Sequence, residues 1–147
     1  LSGQPFGEGY RDGLLRDTDA VFDSEPPTAA MLAAEAIAGR GLDMLAELQV
    51  AHYVEGRRIA ERSVLIDVAA SLGLESASFA EALDRLSETT MQAHFRETRA
   101  LMARVGGQGF PSFVLETSAG LRLVEFAGYL GRPEAFRGWL RSQCRIN

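Results

Sequence analysis

The residues that could do chemistry here are grouped near the C-terminal end of the sequence. The glycine-rich stretch 105–109 precedes Phe110, Pro111 and Ser112, and an apolar run begins at Phe113. Proline has a fixed φ and no N–H, so it normally stands at the first position or the edge of a strand, and cis X-Pro bonds occur mainly in tight turns. The pattern predicts a tight loop that enters a strand. The same punctuation is also typical of a plain helix stop and turn.

The other reactive residue types are isolated from one another. Cys144 is the only cysteine, which excludes an internal disulfide, and its place in or after the last helix indicates a bystander. His52 and His94 fall on separate predicted helices without a partner at metal-ligand spacing, so no metal site is predicted, and His52 is expected to have a core or boundary role. Residues 39–41 read Gly-Arg-Gly without a following lysine and give no phosphate loop.

Composition limits the classes of protein that the chain can represent. With 147 residues, 46% of them hydrophobic and 24% charged, the chain can form one globular domain or one domain with an inserted subdomain. The 20 acidic and 15 basic side chains give a net charge of −5, which argues against a nucleic-acid partner. Arg57, Arg58 and Arg62 form a small basic cluster that we interpret as solvated surface. No apolar run is long enough to span a membrane, and no signal-peptide pattern is visible.

Helical periodicity predicts five helices before the glycine-rich loop. They run from about Thr28 to near Gly39 or Gly41, from Leu42 until Gly56 ends the segment, from about Ser63 to Leu72, from Phe79 to Leu86, and from the cap Ser87 up to Val105. Ser78 with Glu81 predicts a capping box for the fourth helix, and Ser87 predicts the N-cap of the fifth. In the fifth helix Met91, Phe95, Leu101 and Met102 are expected to line one apolar face.

The period of the pattern changes after the glycine-rich loop. A strand over 112–116, a turn over 117–120 and a second strand over 121–126 predict a β-hairpin. A last helix begins at Pro133, with Phe136, Trp139 and Leu140 on its apolar face. The sequence therefore predicts a helical block followed by a ββα unit.

This order of elements, together with particular residues, resembles a known family. The stretch 51–60 (Ala-His-Tyr-Val-Glu-Gly-Arg-Arg-Ile-Ala), Val64-Leu65, the turn at 72–74 and the strand start at 109–114 (Gly-Phe-Pro-Ser-Phe-Val) are similar to the DsbA-like thioredoxin family, and most similar to its FrnE-like, protein-disulfide-isomerase branch. The resemblance covers about residues 28–143.

The resemblance implies an α/β, thioredoxin-like fold, incomplete here, with an inserted helical subdomain followed by a β-hairpin and a C-terminal helix. It divides the chain into the end of an N-terminal thioredoxin part with a linker (1–27), an all-helical insertion (28–104) and the C-terminal ββα part (105–147). It also implies that Gly109, Phe110, Pro111 and Ser112 form a substrate-binding cis-proline loop. In that role Pro111 keeps the loop in shape, Phe110 offers a backbone edge to an extended peptide, and Ser112 tunes contacts near the reactive thiolate.

The chain departs from the family pattern at the catalytic cysteines. Members carry Cys-x-x-Cys at a helix N-terminus, where the helix dipole favours the thiolate. No such motif occurs here, so no catalytic residue is assigned in this sequence, and exchange between two protein thiols needs both sulfurs. The sequence opens Leu-Ser-Gly-Gln-Pro without methionine, and we expect it to be a piece of a longer chain whose upstream part holds the motif.

Three functions are compatible with the sequence. The first is a redox enzyme of the DsbA-like family, a thiol–disulfide oxidoreductase or protein-disulfide isomerase. The second is a relative of the glutathione-dependent 2-hydroxychromene-2-carboxylate isomerases and kappa-class glutathione transferases, although the loop 126–133 lacks the aromatic-Trp-Gly-Gln-Asp pattern typical of that group. The third is a non-enzymatic binding module.

The expected partners follow from the first two functions. They are a peptide or small molecule carrying a thiol or disulfide, with glutathione as one candidate, and no resident cofactor or metal. A cytoplasmic location is expected, and the unpaired edge of an incomplete sheet would allow a homodimer.

Overall fold

The computed structural model describes residues 3–86 and 88–144, without the side chain of Cys144. The main elements are helices α1 Glu25–Ala38, α2 Gly41–Tyr53, α3 Arg62–Ser71, α4 Ser76–Asp84 and α5 Glu88–Val105, strands β1 Val114–Thr117 and β2 Gly120–Leu123, and helix α6 Pro133–Cys144. The predicted helical block followed by ββα is confirmed. The predicted N-cap Ser87 and the first two residues of the chain lie outside the described residues, as does the Cys144 thiol.

Contacts divide the chain into two compact units. The first, called here the helical unit, is Pro5–Ala93. The second, the C-terminal unit, contains the described residues from His94 onward together with Gly3 and Gln4. The division predicted at 27/28 and 104/105 from the family resemblance stays a prediction.

The core of the helical unit lies among α1 to α4. Its buried residues are Ala30, Ala33 and Ala34 of α1, Met44, Leu48 and Ala51 of α2, Leu65, Val68 and Ala69 of α3, and Phe79 and Ala82 of α4. The alanines leave room for α1 to approach its neighbours closely, while Phe79, with none of its surface exposed, fills the space between them. Gly39 ends α1 at φ +65°, in the left-handed conformation expected for a glycine C-cap.

The segment before α1 lies with its backbone directly against the end of α2. The N–H of Gly7 donates to the carbonyl of Tyr53 at 2.9 Å. A Cβ on Gly7 would lie 2.0 Å from the Val54 carbonyl oxygen, and a Cβ on Gly56 would lie 2.1 Å from the Gly9 carbonyl oxygen. We call Gly7, Gly9 and Gly56 the glycine contact, because a side chain on any of them would overlap the opposite backbone.

One helix cap differs from the prediction. The capping box at Ser78 is wrong: α4 begins at Ser76, and the carboxylate of Glu75 accepts the N–H groups of Ala77 at 2.9 Å and Ser78 at 2.7 Å. Hydrogen bonds from Ser78 and from the backbone of Ala77 lower the pKa of Glu75. Ser78 therefore donates to the cap and does not supply it.

The hairpin is confirmed, with shorter strands than the sequence predicts. β1 and β2 are antiparallel, with Val114 opposite Leu123 and Thr117 opposite Gly120. Before β1, one further bond from the Val124 N–H to the Phe113 carbonyl continues the pairing at 2.8 Å. Pro111 has no N–H with which to extend the ladder farther.

The predicted apolar face of α5 is only partly buried, and the three arginines predicted on solvated surface lie there in ion pairs. Of the residues expected to line one face of α5, Met91 is buried, whereas Leu101 is exposed. The arginines expected to form a basic cluster are each paired with a carboxylate: Arg57 with Asp67, Arg58 with Asp17 and Arg62 with Asp84. The cluster is therefore close to electrically neutral.

Candidate functional site

The substrate loop predicted from the sequence begins where α5 ends. Gly106 has φ +73°, and the N–H of Gly107 donates to the Met102 carbonyl at 2.9 Å, which closes the last turn of the helix. A Cβ on Gly107 would lie 3.1 Å from the Met102 sulfur and 3.4 Å from the Ser112 hydroxyl oxygen. Glycine at this position thus lets the loop fold back against its own helix.

The four predicted site residues lie together in one exposed turn. The Ser112 hydroxyl donates to the carbonyl of Gly109 at 2.5 Å, and the peptide bond between Phe110 and Pro111 is cis. The residue Phe110 is 79% exposed. Within the described part of the chain, nothing hydrogen-bonds to the backbone of Phe110. The turn therefore presents both an aromatic ring and backbone groups to solvent.

An apolar groove of about 390 Å³ lies beside this turn, within the C-terminal unit. Its lining residues are Pro111, Phe113, Phe126, Tyr129, Leu130, Gly131, Pro133 and Phe136. The lining contains no aspartate, glutamate, lysine, arginine or histidine. A groove of this size and composition suits one or two apolar side chains of a bound peptide.

Paired aromatic rings build the floor of the groove. Phe113 lies edge-on to Phe126 with ring centroids 5.1 Å apart, and Phe136 lies 5.4 Å from Tyr129. Behind them, Trp139 stacks on Phe136 at 5.8 Å. Aromatic pairs in these geometries add stability beyond the area that they bury, so the rings on the floor of the groove hold one another in place.

The sequence does not reveal the groove as a whole. It predicts Phe136 on the apolar face of the last helix, but the loop 126–133 shows only the absence of the pattern typical of the glutathione-dependent isomerases. The groove exists because the loop after β2 folds back beside Pro111, and this contact leaves no periodic pattern in the sequence.

The two histidines belong to different helices, His52 to α2 and His94 to α5. His52 belongs to the helical unit and His94 to the C-terminal unit. In the described residues, no three histidine, cysteine, aspartate or glutamate side chains are placed to hold a metal ion. None of the described helices has the length and apolar character required to cross a membrane.

Comparison with known proteins identifies a family and similar solved structures. A family model described as a DSBA-like thioredoxin domain matches residues 11–130. The cytosolic disulfide reductase DsbM from Pseudomonas aeruginosa has 56% sequence identity and a TM-score of 0.95, over 100% of this chain and 71% of that one. The structure of the same protein with GSH gives 56% identity and a TM-score of 0.92, over 99% and 70% of the two chains.

A more distant structure shares the fold. It comes from Nitrosomonas europaea, is described as that of a candidate protein disulfide isomerase, and has 24% identity and a TM-score of 0.68, over 83% of this chain and 57% of that one. No curated protein matches the chain.

These similarities confirm the predicted thioredoxin-like fold and do not favour the glutathione-dependent isomerase or the binding module. The family match covers most of the chain, and the identity to DsbM extends over all of it. The chain therefore belongs to the DsbA-like thioredoxin family of thiol–disulfide oxidoreductases.

Proposed function

We propose that the chain supplies the substrate-binding part of a disulfide reductase, and that Gly109, Phe110, Pro111 and Ser112 receive a disulfide-containing peptide. The observation that carries this proposal is the 56% identity to the disulfide reductase DsbM over the whole chain. The exposed turn beside an uncharged apolar groove fits the same substrate class.

In this proposal the peptide lies extended along the turn. Its backbone pairs with the backbone of Phe110, and an apolar side chain enters the groove between Phe113 and Phe126. The backbone of Pro111 cannot donate a hydrogen bond. The register of the bound peptide is therefore set by backbone groups of the residues on either side of Pro111. The bond from Ser112 to Gly109 holds the turn closed while the peptide binds.

In this proposal the reacting sulfurs belong to a Cys-x-x-Cys motif outside this chain. One thiolate attacks a sulfur of the substrate disulfide, the S–S bond breaks, and the second substrate sulfur leaves as a thiolate that takes up a proton. The second cysteine resolves the mixed disulfide, so two electrons pass from the dithiol to the substrate. Glutathione is the proposed electron source, in line with the structure of DsbM with GSH.

The test uses the full-length natural protein that contains this chain. Replacing Phe110 by Ala should lower kcat/KM for a peptide disulfide about tenfold, since truncating an interface aromatic commonly costs more than 1 kcal/mol. Reduction of a small aromatic disulfide that cannot span the turn and the groove should stay unchanged. Insulin reduction with glutathione as the electron source measures the first rate.

Leu42→Ala is the matched control, because Leu42 is 78% exposed and belongs to the helical unit. This variant should reduce peptide disulfides at the wild-type rate. Equal losses with peptide and small disulfide, or a full-length protein without a Cys-x-x-Cys motif, would contradict the proposal.

Two further properties belong to the same proposal. A cytoplasmic location agrees with the description of DsbM as cytosolic. A homodimer through the open edges of β1 and β2 would satisfy backbone groups that the hairpin leaves unpaired among the described residues. Light scattering coupled to size-exclusion chromatography would distinguish this dimer from a monomer.

A further inference from the structure

A cleft of about 330 Å³ is formed entirely by residues of the helical unit. It opens between the segment before α1 and the helices α1 and α2. The apolar part of its lining includes Leu14, Pro27, Met31, Leu45, Leu48 and Ile59. The volume is at the lower end of the range for small-molecule sites, so the cleft fits an organic molecule of one or two rings.

Aromatic rings also line the cleft, and one of them is open to solvent. His52 lies edge-on to Tyr53 at 4.7 Å and to Phe22 at 5.8 Å between ring centroids, and all three residues belong to the lining. Phe22 is 61% exposed, so a molecule that enters the cleft meets it first. The face of an aromatic ring is electron-rich and attracts cations, organic cations in particular.

The opening of the cleft carries acidic side chains. Asp23 and Arg58 line both the cleft and a neighbouring notch of about 230 Å³, so the two openings adjoin, and Asp19 and Glu61 line the notch. Asp23 is exposed, and its carboxylate accepts the N–H of Glu25 at 2.9 Å. This backbone bond does not neutralise the carboxylate. Among the described residues, neither Asp23 nor Asp19 forms an ion pair.

The positive charge at the opening is already engaged by other carboxylates. Arg58 donates from Nε to Asp17 at 2.8 Å and from Nη1 to Glu61 at 3.2 Å. In the described part of the chain, no other arginine lines either opening. Burial lowers the pKa of His52 below its ordinary value, so this ring is uncharged at pH 7. The opening therefore has an excess of negative charge, which favours a cation over a neutral molecule or an anion.

We propose that this cleft binds a small organic cation with an aromatic body of one or two rings and an alkylammonium group. The body occupies the apolar cleft, and the ammonium group stays at the opening beside the carboxylate of Asp23 and the ring of Phe22. Every group that the ligand needs there is exposed to solvent before it binds. All residues of the site belong to the helical unit, so its occupation does not depend on the disulfide reductase proposal.

Three naphthalene compounds of similar size test the preference for a cation. They are 1-naphthylmethylamine, which is a cation at pH 7, the neutral 1-naphthylmethanol and the anion 1-naphthoate. Calorimetry with the full-length natural protein at low salt should show saturable binding of the amine. Its affinity should exceed that of the alcohol about tenfold, the value expected when one exposed ion pair and one cation–π contact add. The anion should bind more weakly than both.

Substitution of Asp23 tests the assigned charge. Asp23→Asn keeps a side-chain oxygen for the N–H of Glu25 and removes the charge, so the affinity for the amine should fall about fivefold and that for the alcohol should not change. Glu47→Gln is the matched control, because Glu47 is exposed in α2 and lines neither opening. This variant should alter neither affinity. Phe22→Leu keeps an apolar side chain without the ring and should weaken the amine more than the alcohol.

Amide chemical-shift mapping with the amine locates the site. The shifts should lie at Phe22, Leu45 and Ile59. Four outcomes would overturn the proposal: no saturable binding of the amine, equal affinities for amine and alcohol, an unchanged preference in Asp23→Asn, and shifts centred on Phe113 and Phe126. The last outcome would place the probe in the peptide groove and leave the disulfide reductase proposal intact.

Discussion

At the scale of single residues, His52 has surroundings that alter its titration. Its ring lies within 5.8 Å of the rings of Tyr10, Phe22 and Tyr53, and desolvation there lowers its pKa below the ordinary value near 6.5. In the unfolded chain the same ring titrates near the ordinary value. The unfolded state therefore binds more protons than the folded state at pH values between the two pKa values.

This difference predicts a loss of stability in mild acid. Because the folded pKa is depressed, the free energy of unfolding should be constant above about pH 7 and should fall as the pH drops through about 6.5 toward the folded pKa. Urea unfolding at pH 7.5, 6.5 and 5.5 measures the slope. His52→Phe should remove it, and an unchanged slope in that variant would contradict the prediction.

Acid-sensitive carboxylates act in a different pH range. The pKa of Asp17 is lowered by its hydrogen bond to Arg58, and that of Glu75 by the cap of α4. Stability from these groups is present above their unfolded pKa values, near 4, and is lost as the pH falls farther. The interval between pH 7.5 and 5.5 therefore reports on histidine.

The surroundings of some residues can be predicted from the sequence, and those of others cannot. The turn at Phe110 and Pro111 could be predicted because glycine and proline mark local conformation directly. The cleft lined by His52, Leu14 and Phe22 could not be predicted, because Leu14 and Phe22 reach α2 only through the tertiary fold. The periodicity of α2 places His52 at the core boundary but does not show what covers it.

At the scale of elements, the order and type of helices and strands follow from the sequence, and the details of their ends do not. The cap of α4 illustrates the reason. Glu75, Ser78 and Glu81 can each make capping bonds, and the choice depends on which residue first adopts an extended conformation, here Glu75 with ψ 124°. The sequence pattern alone does not show which of these residues caps the helix.

The end of α2 gives a sharper prediction. Gly56→Ala places a Cβ against the Gly9 carbonyl at a position with φ +73°, so both sterics and backbone conformation oppose it. We expect a loss of about 3 kcal/mol or more in the free energy of unfolding. Urea unfolding followed by circular dichroism measures it.

Gly73→Ala serves as the control for conformation alone. Gly73 has φ +78°, but nothing lies within 4 Å of its Cβ position. Its substitution should cost about 1 to 2 kcal/mol. Equal losses in the two variants would show that the glycine contact adds nothing beyond the left-handed conformation.

At the scale of the whole molecule, burial is distributed unevenly between the two units. The core cluster belongs entirely to the helical unit, with Met44, Leu65 and Phe79 almost fully buried. In the described part of the C-terminal unit, Val124 is the buried hydrophobic residue, with 6% exposure. Composition gives the total apolar content of the chain, but it does not show this partition.

We therefore expect the two units to differ in local stability. Amides of α1 to α3 should exchange with deuterium orders of magnitude more slowly than those of β1 and β2, because opening the helical unit exposes a packed core. Hydrogen exchange measured by mass spectrometry at pH 7 tests this. Comparable protection in the hairpin and in α2 would contradict it.

The glycine contact also affects how the results of a mutational scan of this protein should be interpreted. Gly7, Gly9 and Gly56 carry no functional group, yet each faces opposing backbone within 2.3 Å of its Cβ position. In a selection for activity, all three should tolerate almost no substitution and would resemble catalytic positions. A parallel selection for abundance would separate them, since variants there should lose protein level and activity together, whereas variants of the Phe110 turn should lose activity alone.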